Sequence, residues 1–230
     1  MEHKLRELEK KIGVPFQNIN TLKKALLHRS YVIENNFEKE SNERLEFLGD
    51  AVLELAVSKF LFNEFPEMDE GQMTNLRAML VNTKRLAAIA KEMEIPEYIL
   101  LSKGELKTSG KEKESILADA LEAVIGAIYY DRGYEAAEKF IKQKLLIKIN
   151  EVIAEQKNAN PKGQFQEIAQ EKTGITPTYK VLKEWGPDHD KNFVVGLYLD
   201  QELIAKGSGK SKQEAESVAA SKALKNKKWH

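Results

Sequence analysis

The sequence predicts an all-α domain followed by an α+β domain of α-β-β-β-α order. Three observations predict it. From residue 1 to about 155, apolar residues recur at spacings of three and four, as at Leu45, Leu48, Val52, Leu55 and Ala56. Residues 156–161, QKNANP, are polar, end in proline and read as a linker. Beyond them, 178–183, 192–199 and 202–207 alternate or carry β-branched and aromatic residues, as strands do. The expected division is a helical domain over 1–155, a linker over 156–161 and a mixed domain over 162–230.

The elements follow in order. A helix over 41–64 opens on Ser41-Asn42-Glu43-Arg44, a cap followed by an early acid, and Pro66 marks its end. A second helix starts near Asp69 or Glu70 and runs to about Leu80. A third follows Asn82-Thr83, with Asn82 as its N-cap, and stops before Pro96. Residues 102–113, SKGELKTSGKEK, are rich in Gly and Lys and read as a loop. A long helix fits 114–130 and ends at Asp131-Arg132-Gly133; another fits 134 to about 155. In the second domain, 162–173 suits a helix, Asp200-Gln201 a turn between the last two strands, and 211–226 a helix rich in Ala and Lys.

The charge balance is 36 Lys+Arg against 36 Asp+Glu, so the formal net charge is zero. It is a sum of unlike parts. Residues 157–230 hold 13 basic and 9 acidic residues, and residues 1–156 hold 23 and 27. An acidic helical domain thus precedes a mildly basic mixed one, which excludes a wholly basic nucleic-acid coat and an acidic solvating tail. There is no cysteine, so disulfides, thiolate metal sites and cysteine nucleophiles are excluded. No run of about 18 apolar residues occurs, and the N-terminal MEHKLRELEKKIG lacks the apolar stretch of a secretion signal. The expectation is a soluble cytoplasmic protein with no membrane partner.

Two segments place carboxylates at helical spacing beside small residues. In NERLEFLGDAVLEL, Glu43, Glu46 and Asp50 fall on one stripe, with Gly49 among them. In ESILADALEAVIGAIYY, Asp119 and Glu122 share a face near Ser115, Ala118, Ala123 and Gly126. Small residues let helices approach, so the two acid stripes can converge. Converging carboxylates repel one another, and a hard cation such as Mg²⁺, with Mn²⁺ as a substitute, relieves that repulsion through oxygen ligands. A solvated helix face paired to lysines is the other reading of the same spacing. The apolar setting of both stripes adds weight to a cation, because charges on largely buried helices need partners, but the spacing alone leaves the solvated face the commoner outcome.

NERLEFLGDAVL closely resembles the signature of the ribonuclease III family, ESILADALEAVIGAIY its second acidic segment, and DEGQMTNLRAMLV (69–81) the segment between. The order and spacing resemble those of bacterial members over nearly the whole chain. The resemblance implies a Mg²⁺-dependent endonuclease for double-stranded RNA that activates water through the metal. It implies products with 5′-phosphate and 3′-hydroxyl staggered ends, and a role in processing ribosomal, messenger and transfer RNA precursors. Glu46, Asp119 and Glu122 match metal ligands, Asp50 and Glu122 the catalytic pair, and Glu43 and Glu70 accessory acids. Phe47 matches an aromatic that packs across a homodimer interface. Glu54, one turn beyond Asp50, lies outside the motif and reads as structural. His28, beside Arg29-Ser30-Tyr31, reads as a hydrogen-bonded histidine rather than a metal ligand. Lys103, Lys107, Lys111 and Lys113 suit phosphates or simply a solvated loop.

The second domain resembles the double-stranded-RNA-binding domain in NPKGQFQEIAQ (160–170), GPDHDKNF (186–193) and GSGKSKQEAESVAASKAL (207–224). A-form RNA is read by shape, through 2′-hydroxyls and phosphates. Gln166 and Glu167 suit a first minor-groove contact and His189 a second. Lys210, Ser211 and Lys212 suit the phosphates between them. Gly163, Gln164 and Gln213 depart from the commoner pattern. The residues alone leave two competitors: a regulator that holds duplex RNA without cutting it, and a phosphohydrolase of small nucleotides. The complete carboxylate set weighs against the first and the second domain against the other.

Overall fold

The computed structural model describes residues 2–36, 40–107, 109–187 and 190–227, without the side chains of residues 111, 155–159 and 227. The chain divides into two compact units, Met1–Val152 and Ile153–His230.

The first unit is helical. Its helices are α1 (Glu2–Ile12), α2 (Ile19–Ala25), α3 (Arg29–Glu34), α4 (Glu43–Glu64), α5 (Glu70–Leu80), α6 (Thr83–Glu92), α7 (Gly110–Arg132) and α8 (Tyr134–Lys144). The central one is α7, against which α2, α4, α6 and α8 all pack. Its sequence explains why: Leu117, Ala118, Ala120, Leu121, Ala123, Val124, Ile125, Ala127 and Ile128 are buried and cover more than half of its circumference, leaving one stripe for Asp119, Glu122 and Gly126. So wide an apolar face is buried only where several helices surround it. By contrast α1 and α6 are one-sided, burying Leu5, Leu8 and Ile12, and Leu86, Ala87, Ile89 and Ala90. The caps are local. Asp69 and Gln72 form a reciprocal capping box at the start of α5, and Asn82 Oδ1 accepts the Arg85 N–H at 2.9 Å, as its position predicts.

Three stretches differ from the sequence expectation. The loop expected over 102–113 ends at Ser109, because α7 begins at Gly110, a turn before Glu114. Lys and Glu are good helix formers, and once Gly110 takes its positive φ of 67° the following KEKES continues the helix. The single helix expected over 134–155 is broken by a 3-10 turn, Leu146–Lys148, before α9 (Ile149–Ala159). That turn accompanies burial of the consecutive Leu145 and Leu146, which one regular amphipathic helix would set 100° apart. Of the residues 156–161 expected to be a linker, those up to Ala159 are helical; Asn160 then caps the next helix, with Pro161 in its first turn.

The second unit runs α10 (Pro161–Thr173), β1 (Thr178–Trp185), β2 (Asn192–Leu199), β3 (Glu202–Gly209) and α11 (Lys212–Lys227). This is the α-β-β-β-α order that the sequence predicts. The sheet is antiparallel in the order β1-β2-β3, with bulges between Val181 and Lys183 and between Leu197 and Tyr198. Asp200 takes a φ of 53° in the β2–β3 hairpin. The helices cover one face, where Phe165, Ala169, Leu197, Leu199, Ala205, Ala219, Ala220 and Ala223 form the core. Gly207 permits that packing: a Cβ there would stand 2.1 Å from the Ala215 carbonyl oxygen of α11.

Candidate active site

The site begins with backbone contact between α4 and α7. Gly49 and Gly126 face one another across the crossing. A Cβ on Gly126 would lie 2.0 Å from the Leu45 carbonyl oxygen, and one on Gly49 2.8 Å from the Gly126 nitrogen. No larger residue fits at either position. Helices that touch at their backbones bring together the side chains one turn away, and here those are acids.

Glu46 from α4 and Asp119 and Glu122 from α7 each offer a carboxylate oxygen, and these atoms lie within 4.8 Å of one another. All three side chains are half-buried. Two like charges at that separation cost about 3 to 4 kcal/mol at an effective dielectric of 20, so three full charges do not coexist there without a counter-charge. The protonation behaviour follows. Burial first, and then the charges of Asp50, Asp119, Glu46 and Glu54, push Glu122 up to about 8. Burial followed by Asp119, Glu43 and Asp50 raises Glu46. Burial raises Asp119 too, opposed by the nearby His28 and a hydrogen bond from Ser115. Among the described residues no basic side chain is ion-paired to the three. An all-oxygen, half-buried donor set that strains toward protonation fits a hard divalent cation.

Asp50 lies one turn from Glu46, exposed, and its charge is the largest electrostatic influence on Glu122. It borders the cluster without joining the three-oxygen group. Beside the cluster is a cleft of about 400 Å³ lined by His28, Arg29, Ser30, Ile33, Asn42, Glu43, Glu46, Glu105 and Asp119. Glu43 stands on its wall, accepting from Ser41 Oγ at 2.5 Å and facing Arg29 at 3.5 Å. Glu70 is elsewhere. It lines a separate cavity of about 550 Å³ with Leu55, Phe62, Met73, Thr74 and Arg77. Phe47, on the opposite side of α4 from Gly49, is 80% exposed.

The cleft wall contains residues that linear spacing does not reveal. Arg29, Ser30 and Ile33 come from α3 and Glu105 from a 3-10 turn, Glu105–Lys107, about 70 residues later. A hydrogen-bonded seam joins these segments. His28 caps α3, its Nδ1 accepting the Ser30 N–H at 3.2 Å and lying 2.8 Å from Ser30 Oγ. Ser30 Oγ accepts the Ser102 N–H at 3.1 Å, and Glu34 accepts the Lys103 N–H at 2.9 Å. His28 is thus hydrogen-bonded, as expected. Lys103, Lys107 and Lys113 are exposed; the Lys111 side chain lies outside the described residues. Glu54 has a structural partner, Arg77, whose Nε is 2.8 Å away.

In the second unit Gln166 and Glu167 are exposed on α10, and Lys210, Ser211 and Lys212 are exposed where β3 passes into α11. Ser211 Oγ accepts the Glu214 N–H at 3.1 Å and Glu214 accepts the Lys210 N–H at 2.6 Å, which fixes this turn. Lys210 Nζ reaches Asp190 at 2.6 Å, and Lys212 Nζ sits 5.8 Å over the Phe193 ring. His189 lies outside the described residues. Gly163 has a local reason: Asn160 Oδ1 accepts its N–H at 3.0 Å, and a Cβ there would stand 2.5 Å from Asn160 Nδ2.

A family model described as Ribonuclease-III-like matches residues 18–149, and the Double-stranded RNA binding motif matches residues 161–227. A protein named Ribonuclease 3 from Enterococcus faecalis is 45% identical over 221 residues, spanning 96% of each chain. A Ribonuclease 3 from Geobacillus thermodenitrificans is 46% identical over 222 residues, 96% of this chain and 90% of that one. The solved nuclease domain of ribonuclease III from Campylobacter jejuni is 44% identical with a TM-score of 0.56, covering 63% of this chain and 94% of its own. A second structure of that domain, described by its flexibility in a region involved in dimer formation, has a TM-score of 0.54 at 44% identity, covering 60% and 95%.

Proposed function

The chain belongs to the ribonuclease III family, an endoribonuclease acting on double-stranded RNA, and on that premise we propose how its residues divide the work. Glu46, Asp119 and Glu122 hold Mg²⁺, with Mn²⁺ as a substitute, and Asp50 assists at the exposed edge of the cluster. The observation that carries this reading is the convergence of three carboxylate oxygens within 4.8 Å.

When bound, the cation supplies positive charge to the phosphodiester and acidifies a water for attack. The protein supplies the rest. Glu46 and Glu122 fix the site from two helices whose separation cannot drift, because Gly49 and Gly126 hold their backbones in contact. In this reading Asp50 accepts the proton that the attacking water loses. Water oxygen bonds to phosphorus and the bond to the 3′-oxygen breaks, leaving 5′-phosphate and 3′-hydroxyl ends once the 3′-oxygen takes up a proton. Glu43, held by Ser41 and Arg29, serves on the wall of the cleft. The duplex is gripped by Gln166 and Glu167 of α10, His189, and Lys210, Ser211 and Lys212 at the start of α11.

The working unit is a homodimer. Phe47, Leu55 and Phe62 are exposed on α4 within about 80° of one another. The cavity bordered by Leu55, Phe62 and Met73 opens on the same helix. In a two-fold interface each patch meets its own copy, so the Phe47 knob of each subunit finds an apolar seat on the other. A two-fold axis suits a two-stranded substrate, with one strand cut by each subunit. The substrates are precursors of ribosomal, messenger and transfer RNA, and the compartment is the cytoplasm.

The deciding experiment is cleavage of labelled duplex RNA by wild type and Glu122→Ala, with product ends mapped. Cleavage that needs Mg²⁺ and is lost in the variant, with duplex binding retained, is expected. Full cleavage by Glu122→Ala would reject the assignment, and no wild-type cleavage at any Mg²⁺ concentration would favour a non-cutting regulator.

A further inference from the structure

Helices α10 and α11 cover one face of the sheet; the other face carries a composition that the duplex grip does not use. Strand pairing sets out its rows: Thr178, Tyr198 and Leu203; Lys180, Gly196 and Lys206; Lys183, Val194 and Ser208; then Trp185 beside Asn192. The charged members of these rows, Lys180, Lys183 and Lys206, are all positive and exposed. The strand carboxylates Glu184 and Glu202 are exposed as well, but they stand opposite the buried Phe193 and Leu199, in the register of the helix-covered face.

The centre of the face is flat because Gly196 has no side chain. A Cβ there would lie 2.9 Å from both Leu203 Cδ1 and Tyr198 Cε2 and 3.1 Å from Leu182 Cδ1, so these three side chains lean over the glycine and form a floor. Trp185 is 46% exposed at one end. Lys180 Nζ sits 5.2 Å over the Tyr198 ring and Lys183 Nζ 5.4 Å over the Trp185 ring.

We propose that this face binds single-stranded RNA, with bases stacked on Tyr198 and Trp185 and phosphates held by Lys180, Lys183 and Lys206. The magnitudes favour the exchange. An exposed cation–π pair is worth about 0.5–1 kcal/mol, whereas a base stacked on an aromatic ring is worth about 1–3 kcal/mol. An incoming base therefore displaces each lysine from its ring, and the freed ammonium reaches the phosphate. At about 3.4 Å per residue, the rows from Tyr198 to Asn192 span roughly 20 Å, room for several nucleotides. A duplex keeps its bases stacked inside and offers nothing to an aromatic floor. The single-sign charge supplies the complementarity to a phosphate chain. An RNA hairpin thus presents its paired stem to one face of this unit and its unpaired flank or loop to the other.

The test uses the full chain carrying Trp229→Phe, so that Trp185 is its one tryptophan. It is titrated with an oligouridylate of about 12 nucleotides without divalent cation, following tryptophan quenching and anisotropy. Quenching is expected, with log K falling against log salt at a slope near −2, since three phosphate contacts at about 0.7 each are lost to screening. Lys180→Glu/Lys183→Glu/Lys206→Glu is expected to weaken binding at least tenfold while Mg²⁺-dependent duplex cleavage is unchanged. Trp185→Ala, read by anisotropy alone, gives an independent loss. Absence of wild-type binding, or unchanged binding by both variants, overturns the proposal. Parallel loss of duplex cleavage in the triple variant also overturns it, because the lysines then serve the duplex. So does capture of an acidic amphipathic peptide with no oligouridylate binding, which assigns the face to a protein.

Discussion

A Cβ on Gly49 would stand 1.8 Å from the carbonyl oxygen of Glu122. The obstacle is helix backbone, so neither residue can turn away. Gly49→Ala must push α4 off α7, and it separates Glu46 from Asp119 and Glu122 as it does so. Overpacking costs about 1–3 kcal/mol, and more where the neighbour is rigid. The expected outcome is a Tm lowered by several degrees together with loss of Mg²⁺-dependent cleavage, measured by calorimetry and duplex cleavage. Wild-type stability and activity in Gly49→Ala would show that the helices have slack.

Glu122, pushed up to about 8 by burial and its acidic neighbours, holds a proton at pH 7 when no cation is present. Cation binding must release that proton, so apparent Mg²⁺ affinity rises with pH, steeply well below 8, and levels off above it. Calorimetric titration in buffers of different ionisation enthalpy should find close to one proton released at pH 7. Glu122→Gln should remove that release as well as cleavage.

The same shift has a stability consequence. Between pH 4.5 and about 8 the folded chain binds this proton more tightly than the unfolded chain, whose carboxyl keeps its ordinary value. Stability of the metal-free protein therefore falls as pH rises through that window, and levels off above it. Thermal melts in EDTA should show the decline. Added Mg²⁺ should oppose it, and Glu122→Gln should flatten it.

Phe47 is 80% exposed and contributes little to the fold of its own subunit. Phe47→Ala should change the melting of an isolated subunit by less than about 0.5 kcal/mol. Sedimentation should nonetheless show a dimer dissociating at much higher protein concentration than wild type. An unchanged dimer would place the interface elsewhere.

Lys210 and Lys212 flank Ser211 at the start of α11. Each Lys→Ala change should weaken duplex binding and lower the salt slope by about one. Lys210 also faces Asp190 at 2.6 Å, an exposed pair that costs little to break. Asp190→Asn should therefore strengthen duplex binding slightly at low salt, and a filter-binding salt series would show it.

Much of this architecture is carried by local pattern. The period of three and four, the β-branched runs, the helix start near Asp69 and the cap at Asn82 are legible because each depends on neighbours within a turn. The acids are legible for the same reason: Glu46 and Asp50, like Asp119 and Glu122, are a helical turn apart. Boundaries set by competition were harder to read. The Gly- and Lys-rich run before Glu114 favours loop by composition, yet the enclosed α7 extends into it. The break at Leu146 reflects the burial of two adjacent leucines, which no local signal announces.

The sequence by itself determined the two-part order, the helix and strand identities and the candidate carboxylates. Periodicity and residue type are one-dimensional properties. Only the tertiary structure decided that Glu46 meets Asp119 and Glu122 across the Gly49–Gly126 crossing, while Glu70 lines a different cavity and Asp50 stays at the exposed edge. It also decided that α3 and the Glu105 turn wall the cleft. The physical reason is that proximity between distant segments depends on how closely two helices can approach, and here that distance is set by two missing side chains.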